Sequence, residues 1–318
     1  MEIVLCTDNN YVMPAGIMMT SVSINNEDVN YHVIISADFS WENQNLLQET
    51  AARFNNGIFF YRVGEEWNKY FPMGNKDMAA RITICAYYRL IMPKILPENI
   101  HRVLYLDCDM IIRKSLETLW NTNIDNIAIG AVHDMSEKKL TEIGYLPYPM
   151  ALGYFNSGML LVNLDYWREH NIVDKFIEFM TRNREIIRYH DQDVLNAVLY
   201  DCMKWLPLTY NFQSGFLFNV NGMANIPDFL KKEILNTEKD PAIIHFSISP
   251  KPWKPTCIHP QRFVWEYYKK KSIWKNVKIP SSLTLREKLS WFLRKNNFWY
   301  LKYGLHRNIY RRVILSKH

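Results

Sequence analysis

Along the first 250 residues, short apolar runs alternate with longer segments whose apolar positions recur every three to four residues. The runs Ile3–Cys6, Val33–Ser36, Ile58–Tyr61, Val103–Leu106, Ile127–Val132, Met159–Val162 and Ala242–Phe246 are short and continuously apolar, the pattern of strands buried on both faces. The segments Ala15–Ile24, Trp41–Arg53, Ala79–Met92, Tyr166–Thr181 and Gln192–Leu199 have helical spacing. This alternation predicts an α/β fold, Rossmann-like, around a mostly parallel sheet. In such sheets ligands sit beyond the carboxyl ends of the strands, so the polar residues just after each apolar run are the first candidates for chemistry.

Beyond Trp253 the pattern changes to Pro, basic and aromatic residues, and a boundary is expected near 280, giving a catalytic domain over 1–280 and an extension over 281–318. Charge sharpens that division. The 318 residues carry a net charge of +6, but Arg286 to His318 hold nine Lys and Arg against one acid, Glu287. The last 33 residues therefore carry +8 and the body −2. Trp291, Phe292, Phe298, Trp299, Tyr300, Tyr303 and Tyr310 interleave with these charges. Such a mixture fits a largely helical, amphipathic segment lying on an anionic membrane surface better than a nucleic-acid arm, for which so many aromatic and apolar residues are not needed. A basic helix packed on the body is the plainer alternative. No apolar run reaches the about 20 residues needed to span a bilayer, and Met1–Cys6 lacks the basic flank and apolar length of a signal peptide. Five scattered cysteines without a C-x-x-C pair read as reduced thiols, which points to a cytoplasmic protein.

The strongest local signal is Arg102-Val103-Leu104-Tyr105-Leu106-Asp107-Cys108-Asp109, an apolar strand ending in two carboxylates two residues apart. Strand alternation would turn both to one side, where a shared divalent cation relieves their repulsion. A second D-x-D, Asp191-Gln192-Asp193, opens a helix, where first-turn acids are favoured by the dipole alone. His245 closes the run Ala242–Ile244 and precedes Lys251-Pro252-Trp253. Oxygen ligands with one imidazole suit Mn2+, with Mg2+ as the second choice, and Lys251 could neutralise a diphosphate. Thr7-Asp8-Asn9-Asn10-Tyr11 after the first run is either a nucleoside contact or an Asx-capped turn. Phe155-Asn156-Ser157-Gly158 offers an amide for sugar hydroxyls and a glycine where backbone could approach closely. No G-x-G-x-x-G or P-loop occurs, and His133 and His190 read as incidental.

In order, these pieces and Ala86-Tyr87-Tyr88-Arg89-Leu90 resemble glycosyltransferase family eight, most nearly its bacterial lipopolysaccharide galactosyl- and glucosyltransferases, with glycogenin more distant. The resemblance spans about residues 1–255. It implies a glycosyltransferase-A fold and retaining transfer of galactose or glucose from a UDP-hexose to a saccharide or glycolipid acceptor, in lipopolysaccharide or other cell-surface glycan synthesis. It further implies that Asp8 and Asn10 hold the nucleoside and that Arg89 approaches the diphosphate and donor sugar. Asp107, Asp109 and His245 would bind manganese with Lys251 on the diphosphate, while Asp134, Asn156, Asp191 and Gln192 line the sugar. By the same likeness the basic C-terminus attaches the enzyme peripherally to the inner face of the cell membrane. In two places the chain departs from the family: Ile248 stands for a phosphate-side glycine, where positive φ would strain a β-branched residue, and Arg81 stands for an acceptor-side histidine. From the residues alone, two rivals compete: a metal-dependent phosphohydrolase with Asp107 as nucleophile, and a non-catalytic membrane-surface binding protein using the basic tail.

Overall fold

Every apolar run predicted above forms a strand. The computed structural model describes residues 1–72, 84–218, 226–257, 259–279 and 285. The strands are β1 (Glu2–Thr7), β2 (Asn30–Ile35), β3 (Gly57–Arg62), β4 (Arg102–Leu106), β5 (Met110–Ile112), β6 (Ile129–His133), β7 (Phe155–Asn163), β8 (Met203–Trp205), β9 (Phe212–Gln213) and β10 (Ile243–His245). Seven make the main sheet in the order β3-β2-β1-β4-β7-β6-β8. All its neighbours pair in parallel except β4 with β7 and β6 with β7. Thus β7 alone runs backwards, and its first residues lie at the edge where the other strands end.

The period of two divides each strand between two cores. Ile3, Leu5, Val33, Leu104 and Leu106 join the cluster of the buried helix Val12–Asn25, while Val4, Ile34, Val103 and Tyr105 join the cluster of Trp167 and Phe176 on the other face. All nine strand residues are essentially inaccessible, each side chain contributing about 1.5–3 kcal/mol by leaving water.

Three expectations change. The continuous helix over 166–181 is two helices, Leu164–Glu169 and Ile172–Arg182, separated by Asn171 at φ 50°. Asparagine tolerates that left-handed conformation, which helical periodicity does not register. The run 242–246 contributes only β10, and β10 lies outside the main sheet: it pairs antiparallel with β5 and parallel with β9 in a separate three-stranded sheet. Of the helix expected over 79–92, residues 79–83 lie outside the described residues, and Ile84–Ile91 form 3-10 turns that continue into one α-turn, Met92–Ile95. None of the five cysteines forms a disulfide. The C-terminal extension from 286 onward also lies outside the described residues, as does Arg81.

Candidate functional site

β4 leaves the main sheet at Leu106 and β5 enters the small sheet at Met110, so Asp107-Cys108-Asp109 is the turn that joins them. It closes with Met110 N–H donating to the Asp107 carbonyl at 3.3 Å. Both carboxylates face one point because the chain turns there, a different reason from the strand alternation expected. His245, at the end of β10 opposite Met110, meets them. One ligand atom from each of Asp107, Asp109 and His245 lies within 4.8 Å of the others. His245 Nε2 is 3.2 Å from Asp109 Oδ1 and 3.9 Å from Asp107 Oδ2.

A chain of amides sets the imidazole tautomer. Asn156 Nδ2 donates to Asp134 Oδ2 at 2.9 Å, which turns Asn156 Oδ1 towards Asn211 Nδ2 at 2.8 Å. Asn211 Oδ1 then faces His245 Nδ1 at 2.9 Å, so Nδ1 carries the proton and Nε2 presents a lone pair to the carboxylates. Asp109 Oδ1 is buried and receives no hydrogen bond. Two electron-pair donors facing each other at 3.2 Å, with the second carboxylate adjacent, suit a shared divalent cation. Gly158 leaves the room: a Cβ there would come within 2.5 Å of His245 Cε1 and 2.9 Å of Asp107 Oδ2.

Cationic side chains flank the acids. Lys251 Nζ donates to Asp109 Oδ2 at 2.6 Å and to the Phe246 carbonyl at 2.7 Å. Burial opposes the charge on Asp109, but the Lys251 ammonium offsets it and holds the carboxyl well below its usual range. Arg89 is buried and stacks 4.3 Å over Tyr105. Its Nη2 donates to Asp107 Oδ1 at 2.9 Å, its Nη1 to the Ser157 carbonyl at 2.7 Å, and its Nε lies 3.2 Å from Asp191 Oδ2. Tyr105 also donates to Asp107 Oδ1, at 2.8 Å.

Asp134, Asn156 and Gln192 form one polar group beside this cluster. Gln192 Nε2 donates to Asp134 Oδ2 at 3.2 Å, and Gln192 Oε1 accepts from Asn156 Nδ2 at 3.1 Å and Ser157 N–H at 3.0 Å. Burial raises the carboxyls of Asp134 and Asp191 above the ordinary value, opposed for Asp134 by its hydrogen bonds and for Asp191 by Arg89. Asp191 Oδ2 is buried without a hydrogen-bond partner.

Asp8 and Asn10 follow β1 at the same edge. Asp8 Oδ1 caps the turn, accepting from Asn10 N–H at 2.8 Å and Tyr11 N–H at 3.2 Å, while Asn10 is exposed. Trp253 packs edge-on against Tyr11, with ring centroids 5.6 Å apart. The backbone at Ile248 has no positive φ, so the strain expected of a β-branched residue there does not arise. His133 is taken up by Glu137 at 2.5 Å and stacks on Trp205. Asn211 escaped the sequence reading because it belongs to no recognisable motif, and Ser157 and Tyr105, though inside the motifs quoted above, were given no role there.

The sequence model of Glycosyl transferase family 8 matches residues 2–257. The general stress protein A of Bacillus subtilis strain 168 is 30% identical over 293 residues, covering 88% of this chain and 97% of its own. The lipopolysaccharide 1,2-glucosyltransferase of Escherichia coli K12 is 25% identical over 85% of this chain and 77% of its own, and the lipopolysaccharide 1,3-galactosyltransferase of Salmonella typhimurium LT2 is 26% identical over 87% and 80%. The crystal structure of galactosyltransferase LgtC, solved with donor and acceptor sugar analogues, superposes with a TM-score of 0.74 at 24% identity over 91% of this chain and all of that one.

Proposed function

The chain belongs to glycosyl transferase family 8 and has the glycosyltransferase-A fold, and we propose that it transfers a hexose, galactose or glucose, from a UDP-sugar to a saccharide or glycolipid acceptor with retention of configuration. The observation that carries this reading is the meeting of Asp107, Asp109 and His245 at the carboxyl edge of the sheet, beside Arg89 and the Asp134–Asn156–Gln192 group. The named activities of the Escherichia coli and Salmonella relatives support a hexose and a lipopolysaccharide acceptor, or a related surface glycan.

In this reading Asp107, Asp109 and His245 hold Mn2+, or Mg2+ in its place. Bound there, the ion supplies positive charge against the departing nucleoside diphosphate. Lys251, already on Asp109 and within the same wall, neutralises the β-phosphate as the anomeric bond breaks. Arg89 keeps Asp107 and Asp191 in register with each other, binding both. As the sugar gains oxocarbenium character, the buried carboxylates of Asp191 and Asp134 stabilise it electrostatically. Gln192 and Asn156 bond the sugar hydroxyls and orient its anomeric carbon. Gln192 is an amide and a poor nucleophile, so the acceptor hydroxyl attacks from the face that the leaving group vacates, giving its proton to a phosphate oxygen. Asp8 and Asn10, on the turn after β1, hold the uracil and ribose. The segment 281–318 attaches the enzyme to the anionic inner face of the cell membrane. Among the described residues no helix is long and apolar enough to cross one.

The test is a UDP-hexose hydrolysis screen with Mn2+ on the wild type and on Asp109→Ala. Hydrolysis of one donor, lost in the variant, upholds the proposal. Phosphate release without sugar release would favour Asp107 as a phosphohydrolase nucleophile instead.

A further inference from the structure

The helix Arg262–Lys271 has two unlike faces. Arg262, Trp265, Tyr268 and Lys269 are buried, and the Trp265 ring lies 6.1 Å from that of Trp253. Phe263, Tyr267, Lys270 and Lys271 recur at helical intervals on the other side and are exposed, Phe263 by 40% and Tyr267 by 51%. Lys271 Nζ sits 5.7 Å from the Tyr267 ring centroid. The helix has one acid, Glu266, and Arg262 engages it at 3.1 Å. Just past the helix, Lys275, Val277 and Lys278 are exposed as well. From 263 to 279 the surface thus offers four exposed lysines, two aromatic rings and a valine, with no exposed acid.

We propose that this folded face, and not the C-terminal extension alone, docks on an anionic bilayer. The inference adds to the membrane reading of 281–318 and rests on it only for continuity along the chain. Charge selects the occupant. Four exposed lysines with no exposed acid among them attract anionic headgroups. The rings decide between anionic partners: Phe263 and Tyr267 gain by entering the headgroup and acyl boundary while their lysine neighbours stay at the phosphates. The inner face of the same helix connects through Trp265 and Trp253 to Tyr11. A helix is about 10 Å thick, so docking here sets the nucleotide end of the cleft close above the lipid and fixes its orientation to a membrane-borne acceptor.

The experiment uses the full chain with vesicles of phosphatidylcholine alone or with phosphatidylglycerol. Lysine acetylation is mapped with and without vesicles, and co-sedimentation is measured for Lys270→Gln/Lys271→Gln and for Arg311→Gln/Arg312→Gln. Anionic vesicles are expected to protect Lys270, Lys271, Lys275 and Lys278, leaving Lys94 and Lys139 reactive. The Lys270→Gln/Lys271→Gln chain should partition about thirtyfold more weakly, from the attraction of each lysine to an anionic leaflet, with UDP-sugar hydrolysis unchanged. Unprotected lysines and unchanged partitioning would overturn the proposal, and if Arg311→Gln/Arg312→Gln alone weakened binding, the extension would be upheld without this face. Protection by single-stranded RNA but not by vesicles would overturn it in favour of a nucleic-acid surface.

Discussion

Two D-x-D triplets, Asp107-Cys108-Asp109 and Asp191-Gln192-Asp193, have the same spacing and opposite fates. The first is a turn between two sheets, and both carboxylates reach one point with His245. The second lies in the first turn of the helix His190–Leu199, where residues two apart are rotated by about 200°. Asp191 therefore faces Arg89, while Asp193 points away, fully buried, and accepts four hydrogen bonds: Tyr145 and Tyr154 hydroxyls at 2.6 Å each, Arg188 N–H at 2.7 Å and Tyr189 N–H at 2.9 Å. Spacing says nothing of function until the backbone that carries it is known. Convergent acids lacking enough donors call for a cation; an acid with every lone pair engaged is an anchor.

Removing an acid from each triplet should separate these roles. Asp109→Asn is expected to lower UDP-sugar hydrolysis by about 10³-fold, the scale of a lost transition-state charge contact, with a circular dichroism spectrum like wild type. Asp193→Ala leaves two tyrosine hydroxyls and two backbone N–H groups without their acceptor, and should destabilise by about 4 kcal/mol in urea unfolding. If Asp193→Ala instead unfolded like wild type and lost turnover, its anchoring role would be wrong.

Gly158→Ala probes how tightly the first triplet converges. Its methyl would press on His245 and Asp107, so it should cost about 1–3 kcal/mol of stability as overpacking and weaken Mn2+ binding measured by calorimetry. Ordinary Mn2+ affinity would mean the ligands have more room than their distances to Gly158 allow.

The smallest effect is the dependence on pH. Asp191 is raised above 3.8, chiefly by burial, so the folded chain holds that proton more tightly than the unfolded chain. Its contribution to stability is full below the unfolded value and is lost as pH rises through the folded one. Asp109 is depressed, so its contribution is present above 3.8 and is lost as pH falls. With chelator present, the stability of Asp191→Asn relative to wild type should therefore rise between pH 3 and pH 7, and that of Asp109→Asn should fall. Slopes of the same sign would show that one of the two environments has been misread.

The turn after β1 shows where reading of the sequence stopped short. Asp8 is both the Asx cap that the pattern allowed and a residue at the ligand edge, and its capping bonds are local enough to be foreseen. Asn211 could not be foreseen in the same way. It governs the His245 tautomer through contacts with residues 34 and 55 positions away, and no local pattern encodes such a pairing.

By itself the sequence determined the buried strands, because continuous apolar runs have no other way to leave water, and it marked the residues that end them. The order of motifs also pointed to the family before any contact was visible. Only the tertiary structure decided that β7 runs backwards to bring Asn156 and Ser157 to the ends of its neighbours, and that β10 delivers His245 from a second sheet. It likewise decided that Asp107 and Asp109 share a turn while Asp191 and Asp193 part across a helix. The reason is physical: burial follows from composition within a few residues, whereas convergence of ligands depends on pairings between strands far apart in the chain.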